Sequence, residues 1–200
     1  MSRPLIKICG LSRLCDIDYA NEYRPDFIGF VFAESRRQVS CDAAAMLKSR
    51  LSPDIKSVGV FVNDDMDRIA ALAESGVIDL VQLHGNEDNR YLSELKSRIS
   101  LPIIRAVSVG SSDERQRLDS CADYILLDNK GGGTGQTFDW AAAPKTDKPI
   151  FLAGGINISN VSDGIASFHP YAVDISGGVE TDGFKDPIKI KNIIRRIRDE

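Results

Sequence analysis

The stretch Leu5-Ile6-Lys7-Ile8-Cys9-Gly10 alternates apolar and polar side chains and is closed by a glycine. Successive side chains of a strand point to opposite faces, so Lys7 and Cys9 share one face while Ile6 and Ile8 share the other. The same division holds for residues 80–84, where Gln82 and His84 oppose Val81 and Leu83, and for residues 171–176, where Asp174 and Ser176 oppose Val173 and Ile175. Five further runs rich in β-branched or aromatic residues fall at 27–32, 56–62, 103–107, 124–128 and 149–153. Between these runs, helical spacing recurs at 13–22, 42–51, 65–75, 89–99, 113–118, 160–166 and 185–198, with Ser40 and Asn157 as caps ahead of two of them. After Trp140 the signal is weaker, because Ala141-Ala142-Ala143 ends at Pro144. Eight strands alternating with helices predict an α/β protein with a parallel sheet, and eight strands close into a (β/α)8 TIM barrel. An open doubly wound sheet is the competing arrangement.

The chain has 200 residues, 42% of them apolar, which suits a single barrel domain over residues 1–200. With 25 Lys and Arg against 29 Asp and Glu, the net charge of −4 repels a polyanion, so nucleic acid is not an expected partner. The longest apolar runs are about six residues where a membrane span needs roughly 20, and the N-terminus lacks the pattern of a secretion signal. The expectation is a soluble cytoplasmic protein with no membrane partner, either a monomer or a homodimer. Cys9, Cys15, Cys41 and Cys121 form no CxxC pair, and His84 and His169 complete no metal-ligand spacing. Reduced thiols and no metal are expected.

On a barrel, the polar faces collect at the carboxyl ends of the strands, where catalytic groups of such folds gather. Cys9, His84, Asp128 and Ser176 form that rim, with Lys7, Gln82, Arg105 and Asp174 beside or below them. Each also has a plain structural reading. Cys9 suits a small buried strand residue, Asp128 suits a turn before Asn129, and His84 and Gln82 suit interior hydrogen bonding. Asp174 has Lys7 or Arg105 as an interior partner. Gly154-Gly155 and Ser176-Gly177-Gly178 follow the seventh and eighth strands, the two loops where barrels commonly hold phosphate on backbone N–H groups. The run Gly131–Gly135, flanked by Lys130 and Thr137, reads as a lid or an anion cradle. No Walker loop or GxGxxG turn is present.

In order along the chain, Lys7-Ile8-Cys9-Gly10, Gly29-Phe30-Val31-Phe32, Ser35-Arg36-Arg37, Gly59-Val60-Phe61-Val62-Asn63, Val81-Gln82-Leu83-His84-Gly85, Leu127-Asp128 with the glycine run and Phe138-Asp139-Trp140, and Val173-Asp174-Ile175-Ser176 closely resemble phosphoribosylanthranilate isomerase. The resemblance spans residues 7 to 180. It implies a (β/α)8 barrel of tryptophan biosynthesis that converts N-(5′-phosphoribosyl)anthranilate, a phosphosugar, to the 1-deoxyribulose 5-phosphate product by Amadori rearrangement, with no metal or organic cofactor. It further implies Cys9 as general base, Asp128 as general acid, and Arg37 rather than Arg36 as the contact on the anthranilate side. Phosphate contacts fall on Gly154, Gly155, Ser176 and Gly177, and His84 and Asp174 are further candidates for substrate contact. Many members have a second serine where this chain has Gly177.

The chemistry suits these residue types. Ring opening of an aminofuranose needs a proton on the ring oxygen, so Asp128 must hold a proton in the complex. Removal of the C2′ proton suits a thiolate whose pKa is brought below its reference of about 8.5, with Lys7 on the same face as the candidate for doing so. Two alternatives remain. One is another phosphosugar barrel enzyme, which calls for metal-ligand histidines or an extra N-terminal helix with a catalytic lysine. The other is a non-catalytic phosphate-ligand sensor, which has no need of Cys9 and Asp128 together.

Overall fold

The computed structural model describes residues 3–129 and 144–199. Eight parallel strands close in chain order into a barrel: β1 (Leu5–Cys9), β2 (Phe27–Val31), β3 (Lys56–Phe61), β4 (Leu80–Leu83), β5 (Ile103–Ser108), β6 (Tyr124–Asp128), β7 (Ile150–Leu152) and β8 (Ala172–Ile175). Closure is made by β8 pairing with β1, with Lys7 opposite Asp174, so the open sheet is set aside. Around the barrel lie α1 (Leu14–Tyr23), α2 (Cys41–Ser49), α3 (Met66–Glu74), α4 (Asn89–Arg98), α5 (Glu114–Leu118), α6 (Val161–Phe168) and α7 (Pro187–Arg198). The glycine run, Phe138-Asp139-Trp140 and the alanine stretch lie outside the described residues. No helix among the described residues is long and apolar enough to cross a membrane.

Local chemistry starts the helices. Ser40 accepts from the Ala43 N–H ahead of α2, Asp65 from Asp67 and Arg68 ahead of α3, and Asp186 from Ile188 and Lys189 ahead of α7, which opens on Pro187. Asn157 differs from expectation. Its Oδ1 accepts from the Ser159 N–H in a turn, and α6 begins four residues later behind Asn160.

The barrel interior is filled by Phe27, Val58, Leu80, Ile104, Leu126, Phe151 and Ala172. Fully burying such side chains stabilises by roughly 1.5–3 kcal/mol each. A second, outer core packs Ile6, Ile8, Val81, Val173 and Ile175 against the helices. In β5 the expected parity is reversed. Ile104 and Ala106 line the interior, so Arg105 points outward, where it donates to the Glu87 carbonyl at 2.5 Å and to Asn89 Oδ1. A single-residue shift of register moves every side chain to the other face, and this strand is apolar on both.

At the amino ends, a carboxylate just before each of three even strands grips the odd strand before it. Asp26 accepts from the Ile6 N–H at 2.8 Å, Asp79 from Ser57 at 2.8 Å, and Asp123 from Ile103 at 2.9 Å. Each aspartate returns its own N–H to the carbonyl of that same residue. At the other end, β8 runs into a 3-10 turn (Gly177–Val179) and a short hairpin, β9 (Glu180–Thr181) and β10 (Phe184–Lys185). Asp182 and Gly183 turn the hairpin with φ of 52° and 84°, the Asp-Gly pattern suited to a two-residue reversal.

Candidate active site

A cavity of about 550 Å³ opens at the carboxyl ends of the strands. All nine residues singled out from the sequence line it: Cys9, Arg37, His84, Asp128, Gly154, Gly155, Asp174, Ser176 and Gly177. They come from β1, β4, β6, β7 and β8 or the loops just after them, and from the loop after β2, which explains why no short motif contains them.

On the floor, Lys7 is fully buried and its Nζ donates to Asp174 Oδ2 at 2.7 Å. Arg105 takes no part. Asp174 Oδ1 is buried and has no hydrogen-bond partner among the described residues. The Lys7 ammonium is itself opposed by burial, yet Asp174 and Cys9 outweigh it and its pKa lies above the ordinary value. At Cys9 the balance runs the other way. Burial dominates and pushes its thiol up, although Lys7 and Lys185 both pull the other way and Asp174 adds to the rise.

Asp128, at the end of β6, has both oxygens engaged. Oδ1 accepts the Asn129 N–H at 2.7 Å, and Oδ2 lies 3.3 Å from His84 Nε2. His84 Nδ1 is in turn 2.9 Å from Gln82 Nε2. Asp128 thus accepts at the turn and also lines the cavity.

The loops after β7 and β8 meet closely. A Cβ on Gly178 would stand 2.0 Å from the Ile156 carbonyl oxygen, so only glycine lets the two loops touch. Ser176 Oγ donates to the Cys9 carbonyl at 3.0 Å, tying the last strand end to the first.

Arg37 and Arg36 separate clearly. Arg37 lines the cavity with its side chain 18% exposed, whereas Arg36 is 60% exposed and outside the lining. Both reach Glu180, a buried carboxylate that also accepts from Lys185 Nζ at 2.6 Å. Sequence reasoning missed both partners. Glu180 fell outside every motif, and Lys185 was assigned to a helix that in fact starts at Pro187. Burial opposes the charge on each. Arg37 and Lys185 outweigh it at Glu180 and hold that carboxyl below its usual range, whereas at Lys185 burial prevails and lowers the ammonium pKa. Among the described residues, no group of three or more His, Cys, Asp or Glu side chains is placed to hold a metal ion.

Comparison with known proteins places this architecture. A family profile described as N-(5'phosphoribosyl)anthranilate (PRA) isomerase matches residues 6–196. The chain is 44% identical over 199 residues to the N-(5'-phosphoribosyl)anthranilate isomerase of Endomicrobium trichonymphae, covering 98% of each chain. It is 44% identical over 208 residues to that of Acetivibrio thermocellus, covering 97% of this chain and 95% of the other. Among solved structures, phosphoribosyl anthranilate isomerase from Thermus thermophilus superposes with a TM-score of 0.88 at 30% identity, covering 98% of both chains. A phosphoribosyl anthranilate isomerase in complex with reduced 1-(o-carboxyphenylamino)-1-deoxyribulose 5-phosphate gives 0.81 at 32% identity, covering 98% of this chain and all of the other. With the fold, the cavity and full-length similarity in agreement, the chain belongs to the N-(5′-phosphoribosyl)anthranilate isomerase family.

Proposed function

We propose that this chain isomerises N-(5′-phosphoribosyl)anthranilate to 1-(o-carboxyphenylamino)-1-deoxyribulose 5-phosphate in tryptophan biosynthesis, with Cys9 and Asp128 as its two proton-transfer groups. The observation that carries the reading is that both residues line a single cavity together with the candidate phosphate loops and Arg37. Protonated Asp128 gives its proton to the ring oxygen, the C1′–O bond breaks, and the nitrogen lone pair forms the C1′ iminium. The Cys9 thiolate then removes the C2′ proton, and those electrons neutralise the iminium to give an enolamine. Protonation at C1′ and loss of the proton from the C2′ hydroxyl complete the ketose.

The remaining assignments rest on residues that line the same cavity. Backbone N–H groups of Gly154, Gly155 and Gly177, with Ser176, take the phosphate. Arg37 takes the anthranilate carboxylate, a planar anion suited to a guanidinium. Asp174 Oδ1, buried and without a partner among the described residues, accepts from a sugar hydroxyl, and His84 lines the same wall beside Asp128.

The test is anthranilate fluorescence during turnover by the purified chain, compared with Cys9→Ala and Asp128→Ala. Each variant is expected to lose activity by orders of magnitude while circular dichroism stays unchanged. Turnover near that of the parent in either folded variant removes that residue's role, and a folded parent without turnover removes the function.

A further inference from the structure

We propose that Glu180 and Lys185 are positioning residues that aim Arg37 and tie it to the loop after β8, so that the two anionic ends of the substrate are read by one connected network. This rests on the reading of Arg37 as the carboxylate contact.

The Glu180 side chain is 4% exposed and accepts Arg37 Nε at 2.7 Å and Nη2 at 2.9 Å. A guanidinium presents more than one hydrogen-bonding edge. Here the Nε–Nη2 edge is taken by Glu180, while Nη1 has no partner among the described residues. The edge that remains, Nη1 with the second Nη2 proton, is suited to a planar carboxylate in two-point contact. The stem of Arg37 is held as well, because a Cβ on Gly10 would stand 2.4 Å from Arg37 Cδ. The residue directly after Cys9 must be bare for the arginine to cross it.

Lys185 supplies the link to the other end. Its side chain is 1% exposed, and its Nζ donates to Glu180 Oε1 at 2.6 Å, the Ser176 carbonyl at 3.1 Å and Ser176 Oγ at 3.4 Å. An ammonium has three protons, and these contacts use all of them. Ser176 and Gly177 are the candidate phosphate contacts, so Lys185 joins the phosphate loop to the carboxylate that holds Arg37. Stability alone is a poor account of the cluster, because buried ion pairs gain little over apolar packing. Charge points the same way: Arg36, Arg37 and Lys185 surround the single carboxylate of Glu180. The excess positive charge suits a ligand that is anionic at both ends.

The experiment is steady-state turnover by the full chain, with inorganic phosphate as a competing inhibitor. Glu180→Gln is expected to raise KM about tenfold or more with kcat changed less than about threefold, the pattern of lost uniform binding. Because Glu180 acts through Arg37, Arg37→Ala/Glu180→Gln should have the KM of Arg37→Ala alone, whereas independent sites would add. Lys185→Met should raise both KM and the inhibition constant for phosphate, and Arg36→Ala should leave KM within about twofold of the parent. A folded Glu180→Gln with the parent's KM, or additive effects in the double variant, overturns the proposal. Should Glu180→Gln fail to fold, Lys185→Met decides: phosphate inhibition at the parent's value overturns the link, and a raised constant supports it. If Arg37→Ala itself keeps the parent's KM, the reading of Arg37 fails and takes this proposal with it. A raised KM in Arg37→Ala beside an unchanged Glu180→Gln sinks only the present inference.

Discussion

Lys7 and Asp174 are direct register partners across the β1–β8 seam, and their 2.7 Å ion pair lies one pleat below Cys9. The attraction that Lys7 exerts on a thiolate above it is opposed by the carboxylate it already holds, so burial decides the balance and the Cys9 pKa rises.

A chain in which Cys15, Cys41 and Cys121 are replaced by serine should therefore titrate its one thiol above the ordinary value of about 8.5, read by ultraviolet thiolate absorbance. A raised thiol pKa means that the thiolate is lost as pH falls through that raised value. In Asp128→Asn, where Cys9 is the remaining proton-transfer group, the acidic limb of the residual kcat/KM should accordingly still be climbing at neutral pH. A thiol midpoint below the ordinary value would show that the two lysines outweigh burial.

Breaking the floor pair on one side should be costly. Lys7→Met leaves the Asp174 carboxylate buried without its cation, and urea unfolding should show a loss of about 3–5 kcal/mol. Lys7→Met/Asp174→Leu removes both charges and should recover most of it. A double variant as unstable as the single would mean that packing around the Lys7 stem, rather than charge, was lost.

Gly177 is open to a side chain, since a Cβ there would meet only Arg37 Nη2, at 3.9 Å. Its φ lies outside the left-handed region, so an L-residue is accommodated. Gly177→Ser should fold normally and, if phosphate sits beside it, lower KM about 2- to 10-fold, the net worth of one hydrogen bond at about 0.5–1.5 kcal/mol. An unchanged KM in the folded variant would place the phosphate elsewhere.

Asp79 accepts from Lys48 Nζ at 2.5 Å and from both the N–H and hydroxyl of Ser57. Burial pushes its pKa up, but these donors outweigh burial and hold it below the usual value. A depressed carboxyl contributes stability above its unfolded pKa of about 3.9, and that contribution is lost as pH falls through the folded value. Asp79→Ala should cost about 1–3 kcal/mol at neutral pH. Unfolding curves of the two proteins should converge in acid, and a gap independent of pH would rule out the charged carboxylate as its source.

The barrel was legible because its strands announce themselves locally, and the rim was legible wherever polar and apolar residues alternate. In β1, β4 and β8 that alternation assigned Cys9, His84 and Asp174 to the interior. In β5 it gave nothing, because Ile103, Ile104, Ala106 and Val107 suit either face and Arg105 alone cannot set the parity. Its guanidinium is hydrogen-bonded outside the barrel to the Glu87 carbonyl and Asn89 Oδ1, contacts that depend on the β4–α4 loop. Glu180 was out of reach for a different reason. It meets Arg37 across 143 positions of chain from a two-residue strand, and neither end carries a period. The direction of the Cys9 pKa was not legible, because the sequence shows the lysine but not the depth of burial.

The aspartate grips at the amino ends divide the barrel unevenly. Asp26, Asp79 and Asp123 each bind one odd strand to its even successor, but the position before β8 is Tyr171, and no carboxylate stands there. β7 and β8 are also joined by only two register pairs, Phe151 with Ala172 and Leu152 with Val173. That seam should be the first to breathe, with its amides exchanging with solvent sooner than those of β1 to β6. Of the four odd-to-even seams, the one whose loops carry the candidate phosphate contacts is thus the one left unclasped, and a bound dianion bridging those loops would act as its missing fastener.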